Sequence, residues 1–349
     1  MTRTRTAVAV ALALTLAIWS VGCSSGSEVV ASWPTADGER AIPEPAEPLR
    51  WPLTGLDAPS EDAITQRVLS VKIENSPSAR PQSGLQAADV VYETVTEGGI
   101  TRFNALFHST SPDPIGPVRS ARLSDITIVP QYGALFAFSG GSETVDAAVR
   151  RAGLENLSQD AGVSAPYYRS SERAAPHNLY MHIDEMRAEA AGRGMPTTAE
   201  PKPLAFDRGS GSASGGQPVA EIDIPFSTAN RVVWTYDSTL NAFLRANNGS
   251  THTDALTGEQ ISARNVVVLW ARYIPQGSRD KAGSTTYDVE LAGSGRVSVF
   301  RDGLRYDGTW EATEAAPPVF KAADGTQIKL APGNTWFQVV STDVDIALK

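Results

Sequence analysis

The chain has 349 residues, with 30 Lys and Arg against 39 Asp and Glu, 41% hydrophobic residues and one Cys. That length suits one large domain or two ordinary ones, and 20% charged residues exclude both a disordered polyelectrolyte and an all-apolar membrane bundle. A net charge of −9 argues against a nucleic-acid binder, and a single Cys excludes intramolecular disulfides and Cys-only zinc clusters.

Residues 1–22 have the pattern of a secretory signal. Arg3 and Arg5 precede Ala7 to Trp19, an uncharged stretch of 13 residues that is too short for a comfortable bilayer span. The stretch ends in Ser20-Val21-Gly22-Cys23, which resembles a bacterial lipobox, with Ser20 in the place usually held by Leu. The resemblance implies cleavage before Cys23 and lipid on that residue, so the expected partner is the membrane and the expected location its extracytoplasmic side. Two or more acyl chains would anchor stably. Cleavage removes Arg3 and Arg5 and leaves the mature chain near −11, so no polybasic patch assists the lipid.

Residues 23–51, rich in Ser, Pro, Ala and Glu, read as a flexible tether. The block 52–195 mixes strands and helices. Asp89–Glu97 and Ile100–Phe107 flank Gly98-Gly99, a two-residue hairpin signal. That turn predicts Val95 opposite Arg102 and Glu93 opposite Asn104. Glu93, Glu97, Arg102 and Asn104 would then share one polar face, with Tyr92, Thr94, Phe103 and Phe107 on the core side. Such a face is either a solvated sheet surface with charge pairs worth about 0.2–1 kcal/mol each, or the floor of a site where Glu93 and Glu97 act as acid and base.

Downstream, Gly116-Pro117 breaks the chain, and Arg119 and Arg122 lie three apart, on one face of a helix if one starts there. Together with Arg102 they would make an anion site. Ala134–Phe138 reads as a buried strand. Ser142 reads as the N-cap of a helix over Val145–Arg151 that stops at Gly153, and Ser139-Gly-Gly-Ser142 could bring a ligand to that helix terminus. His182–Arg193 is a further helix, closed by Gly194 and Pro196. His177 and His182 are five apart, which is not the spacing of a helical zinc pair, so no metal and no cofactor are expected.

Residues 196–218, with Arg208-Gly-Ser-Gly-Ser-Ala-Ser-Gly-Gly-Gln217, read as a linker or long loop. The block 219–349 is mostly strand, with runs at 231–237, 241–245, 265–273, 287–291, 296–301 and 335–341. Asp302-Gly303, Asp307-Gly308 and Asp324-Gly325 mark turns between them. The expected fold class is α+β, an N-terminal mixed α/β sheet domain packed with a β-rich C-terminal domain.

Several motifs occur in order: Ala79-Arg-Pro-Gln-Ser-Gly-Leu85, Ala88-Asp-Val-Val-Tyr-Glu93, Glu97-Gly-Gly-Ile-Thr-Arg102, Gly116-Pro-Val-Arg-Ser-Ala-Arg122 and Ala175-Pro-His-Asn-Leu-Tyr180. With Asn265-Val-Val-Val268 and Pro332-Gly-Asn-Thr-Trp336 further on, the chain resembles the YerB-like bacterial lipoprotein family, a domain of unknown function in N- and C-terminal parts. The resemblance implies a two-part α/β architecture and lipid anchoring, and it carries no accepted catalytic residues. It groups Glu97, Arg102, Arg119, Arg122, His177 and Asn178 within family-defining stretches.

Three functions follow as expectations. The first is a tethered binding module for an anionic or polyhydroxylated envelope ligand or an envelope protein. Arg102, Arg119, Arg122, Ser142, His177 and Asn178 would form its site, and a cell-wall glycan or anionic polymer would be its ligand. The second is an envelope-polymer hydrolase or transferase using Glu93 and Glu97. The third is a scaffold regulating wall-synthesis enzymes.

Overall fold

The computed structural model describes residues 47–209, 213–279 and 284–349; the signal segment and Cys23 lie outside them. Residues Glu47–Lys349 form one compact unit of mixed helix and strand. None of the described helices is long and apolar enough to cross a bilayer.

The N-terminal part contributes β1 (Leu69–Glu74), β2 (Val90–Val95), β3 (Thr101–Phe107) and β4 (Leu135–Ala137). Its helices are α1 (Glu61–Thr65), α2 (Asp125–Gln131), α3 (Glu143–Arg151) and α4 (Ile183–Gly192). The long sheet does not stop at the end of that part. In spatial order it runs Ala316–Lys321, Leu304–Thr313, Gly293–Arg301, Asn265–Ala271, Thr335–Ser341, β2, β3, β1, β4. Thr335–Ser341 is parallel to both Asn265–Ala271 and β2, so strands from the two sequence blocks meet within one sheet. A second sheet of six strands, built around Arg231–Asp237 and Ala242–Asn247, comes from the C-terminal part.

Both faces of the long sheet are covered, and β1 and β3 are buried along their whole length. One face joins Val91, Phe103 and Ala105 to Trp234, Phe243 and Trp336, and to Met186 of α4. The other joins Val90, Tyr92 and Leu106 to Ile128 and Val129 of α2 and Val149 of α3. Strands buried on both sides lose the apolar–polar alternation that marks a solvated sheet.

Several local expectations hold. Ser142 caps α3 by accepting from Val145 N at 3.3 Å, and Gly153 follows the helix at φ +63°. His182 and Arg193 flank α4. Residues 196–218, read as a linker or long loop, are tied down at several points: Ala199 N donates to Thr65 O, Leu204 N to Pro52 O, and Gln217-Pro218 pairs with Leu304-Arg305. At the end of the expected tether, Arg50 pairs with Asp57 and Trp51 meets the edge of His108 at 4.9 Å.

Candidate functional site: an arginine cluster over the β1–β3 floor

The hairpin register differs from the sequence expectation by one residue. Thr96 N donates to Ile100 O, so Glu97, Gly98 and Gly99 make a three-residue turn with both glycines near φ +72°. Glu93 therefore faces Phe103, Thr94 faces Arg102 and Tyr92 faces Asn104. A slip of one residue reverses every side chain. Glu93 turns toward the six-stranded sheet, while Arg102 and Asn104 turn toward α2.

The expected acid–base pair is thus dissolved. Glu93 is fully buried, with Oε2 2.7 Å from Arg245 Nη2 and Oε1 accepting from Thr101 Oγ1 at 2.7 Å. Glu97 sits in the turn and binds Arg122 instead. Phe103 and Phe107, expected beside Tyr92 and Thr94, lie on the opposite face from them.

The α2 side of the floor carries a polar row in register. Lys72 lies opposite Asn104, and Glu74 opposite Arg102. Lys72 Nζ and Asn104 Nδ2 both donate to Asp125 Oδ1, at 2.7 and 3.0 Å, deep in the fold. Burial pushes Lys72 down, and Asp125 opposes that shift. Asp125 Oδ2 also accepts from Arg122 N at 2.7 Å, which fixes the chain just before α2.

No helix starts at Gly116-Pro117. The segment is extended and serves as a bridge: Ile115 pairs with Met181, Gly116 with Ser83 and Val118 with Ile73. Arg119 N donates to Lys72 O, and α2 begins only at Asp125. Arg119 and Arg122 nevertheless approach the same place, because Arg102 rises between them from β3.

Arg119 pairs with Glu74 at 3.1 Å and Arg122 with Glu97 at 2.7 Å. Arg102 pairs with no carboxylate among the described residues; its Nη1 donates to Ser120 O at 3.0 Å. Its Nε and the hydroxyl of Thr94 opposite it are buried without hydrogen-bond partners among the described residues. Burial and the neighbouring Arg122 push the guanidinium down to about 9, against the pull of Glu97, so it stays charged at neutral pH. The outer arginines reach solvent, with side chains 20% and 17% exposed, while Arg102 forms the floor.

His177 completes one wall. Its Nδ1 lies 2.8 Å from Glu74 Oε1, which also accepts from Ser76 Oγ at 2.7 Å. Nε2 makes no hydrogen bond among the described residues, and the side chain is 27% exposed. Ser76 and Glu74 both approach Nδ1, so the three do not form a relay through the ring.

Glu97, Arg102, Arg119, Arg122 and His177 are therefore brought together. Asn178 is not: it accepts from Arg169 and donates to Ser170 O in a neighbouring hairpin. Ser142 acts as a helix cap. Sequence reasoning missed Glu74, Lys72 and Asp125. The strict alternation of Leu69-Ser-Val-Lys-Ile-Glu74 was the available signal for the first two.

The N-terminal part, residues 53–196, matches the model for "Protein of unknown function (DUF3048) N-terminal domain", and residues 222–337 match the corresponding C-terminal domain. The chain is 29% identical over 311 residues to the Bacillus subtilis (strain 168) protein named "Putative lipoprotein YerB", covering 88% of this chain and 90% of that one. It superposes on the crystal structure of YerB protein from Bacillus subtilis with a TM-score of 0.76 and 28% identity, over 86% of this chain and 99% of the other. The two matched regions are the two parts that meet where β2 pairs with the strand Thr335–Ser341, and the chain belongs to the DUF3048 family.

Proposed function

We propose that this protein is a lipid-anchored module of the bacterial envelope that binds an anionic group at Arg102. The carrying observation is the charge arrangement: Arg119 and Arg122 each hold a carboxylate, and the buried Arg102 between them holds none among the described residues. A buried guanidinium with no carboxylate in contact is costly, and an incoming oxyanion offsets that cost while accepting charge-assisted hydrogen bonds. The lipobox-like Ser20–Cys23 and the printed name of the Bacillus relative support anchoring through Cys23. A phosphate- or carboxylate-bearing wall polymer fits a site of this charge in a chain that is acidic overall.

The test is titration of the full chain in detergent with poly(glycerol phosphate), followed by calorimetry. A hydrogen bond to a charged group is worth about 1.5–3 kcal/mol, so Arg102→Met should weaken binding by about 10- to 150-fold. Equal affinity in the variant would sink the assignment.

A further inference from the structure

On the other side of the β1–β3 floor, a cleft of about 410 Å3 opens between residues 77–81 of the N-terminal family part and 247–253 of the C-terminal part. Its floor is Arg80. The Arg80 Nε donates to Asn75 Oδ1 at 2.9 Å, and its Nη2 donates to Asn75 O at 2.8 Å and Asn230 Oδ1 at 3.4 Å. Those asparagines in turn donate to Glu93, so Arg80 belongs to the same buried network as the Glu93–Arg245 pair. The loop that carries Arg80 is held in place by Arg173, which donates to the carbonyls of Ala79 and Pro81.

The charges in this network do not cancel. Arg245 Nη1 donates to His252 Nδ1 at 3.1 Å, so that nitrogen carries no proton; His252 Nε2–H then donates to Gln82 Oε1 at 2.6 Å. The imidazole is neutral. Glu93 and Arg245 offset each other, and Arg80, which forms no ion pair among the described residues, is left as a single uncompensated positive charge. Burial and Arg245 push it down to about 10, so it remains charged at neutral pH.

The rim supplies a different chemistry. Ser250 and Thr251 are exposed, Thr253 is half-buried, and none of the three side chains makes a hydrogen bond among the described residues. Pro77 and Pro81 provide flat apolar faces opposite them. The volume falls in the roughly 300–1,000 Å3 range of small-molecule sites. From this arrangement we infer that the cleft is a second binding site, taking a saccharide that carries an oxyanion. The acidic group meets Arg80 and the ring hydroxyls meet Ser250, Thr251 and Thr253. The site spans both family parts and is independent of Arg102, which faces the opposite side of the sheet.

The experiment is calorimetric titration of the full chain in detergent with four probes: a glucuronic-acid disaccharide, glucose 6-phosphate, cellobiose and inorganic phosphate. The proposal expects one of the two acidic sugars to bind at least tenfold more tightly than either cellobiose or inorganic phosphate. Which of the two wins identifies the oxyanion as carboxylate or phosphate. Arg80→Gln should lose at least tenfold for the acidic sugar. Thr251→Trp, at an exposed rim position outside the buried network, should block the cleft without disturbing the fold. All four titrations are run on Arg102→Met protein, which silences the arginine cluster, so failure here is distinct from failure there. Arg102→Met protein that binds neither acidic sugar, or binds cellobiose or phosphate equally well, overturns the inference. So does Arg102→Met protein that binds the acidic sugar just as well once Thr251→Trp is added.

Discussion

Glu93 and Arg245, one from each family part, meet at 2.7 Å with both side chains fully buried. Arg245 also lies over the rings of Phe103, Trp234 and Trp336, at 5.2–5.6 Å from their centroids. This pair welds the six-stranded sheet to the long one. Removing either partner leaves the other charged and dry. Glu93→Leu or Arg245→Met should each cost about 3–5 kcal/mol, and the two replacements together less than either. Urea denaturation of the four proteins measures the coupling; additive losses would show that the pair is not the weld.

Arg102 should behave in the opposite sense. Its charge has no carboxylate partner among the described residues, so Arg102→Met removes a desolvated ion without orphaning another. The free protein should keep its stability or gain about 1 kcal/mol. Phosphate should raise the melting temperature of wild type, because it binds only the folded state, and not that of the variant. A large loss of stability in the variant would mark Arg102 as a structural residue.

Acid should weaken the fold through its buried histidines. Burial and Arg187 push His108 down to about 4, and burial with Arg245 and Arg80 pushes His252 well below its ordinary value. Both are neutral in the folded protein and take up protons more readily when unfolded. Their stabilisation is full above about pH 6.5 and is lost as pH falls from there toward 4, at about 1.4 kcal/mol per pH unit for each histidine. Thermal unfolding between pH 7 and pH 4 should show this slope, and His108→Asn should flatten it.

Cys23→Ser tests the anchor without touching the fold, since the compact unit begins at Glu47. The variant should move from the membrane to the soluble fraction after cell disruption and lose labelling by a radioactive fatty acid. Retention in the membrane with labelling abolished would point to another attachment.

Where the sequence was legible, local chemistry decided the structure. Ser142 and Gly153 bracket α3, and the β-branched runs Arg231–Asp237 and Thr335–Ser341 are strands over those same residues. The hairpin was harder. Gly98-Gly99 suits a two-residue or a three-residue turn, and only a solvated face would have chosen between registers. Here both faces are buried, and Glu93 and Arg102 are each accommodated by partners far away in sequence, Arg245 and the 119–122 segment. The spacing of Arg119 and Arg122 suggested a helix, yet the backbone of 115–118 is claimed by Ser83, Ile73 and Met181. The convergence of the arginines survives both errors, because it depends on which segments are neighbours and not on helical phase.

The position of Thr335–Ser341 also sets an order of events. It slots between β2 and Asn265–Ala271, closing a contact between Val90 and Thr335 about 245 residues apart. Until it arrives, both flanking strands present open edges, the usual templates for joining the wrong chain. So long a closure is slow to find, and nothing made earlier can substitute for it. The N-terminal part of a growing chain must therefore wait, unsealed, until nearly all of the protein has emerged. A truncation just before Thr335 should give aggregates even though both arginine sites precede it.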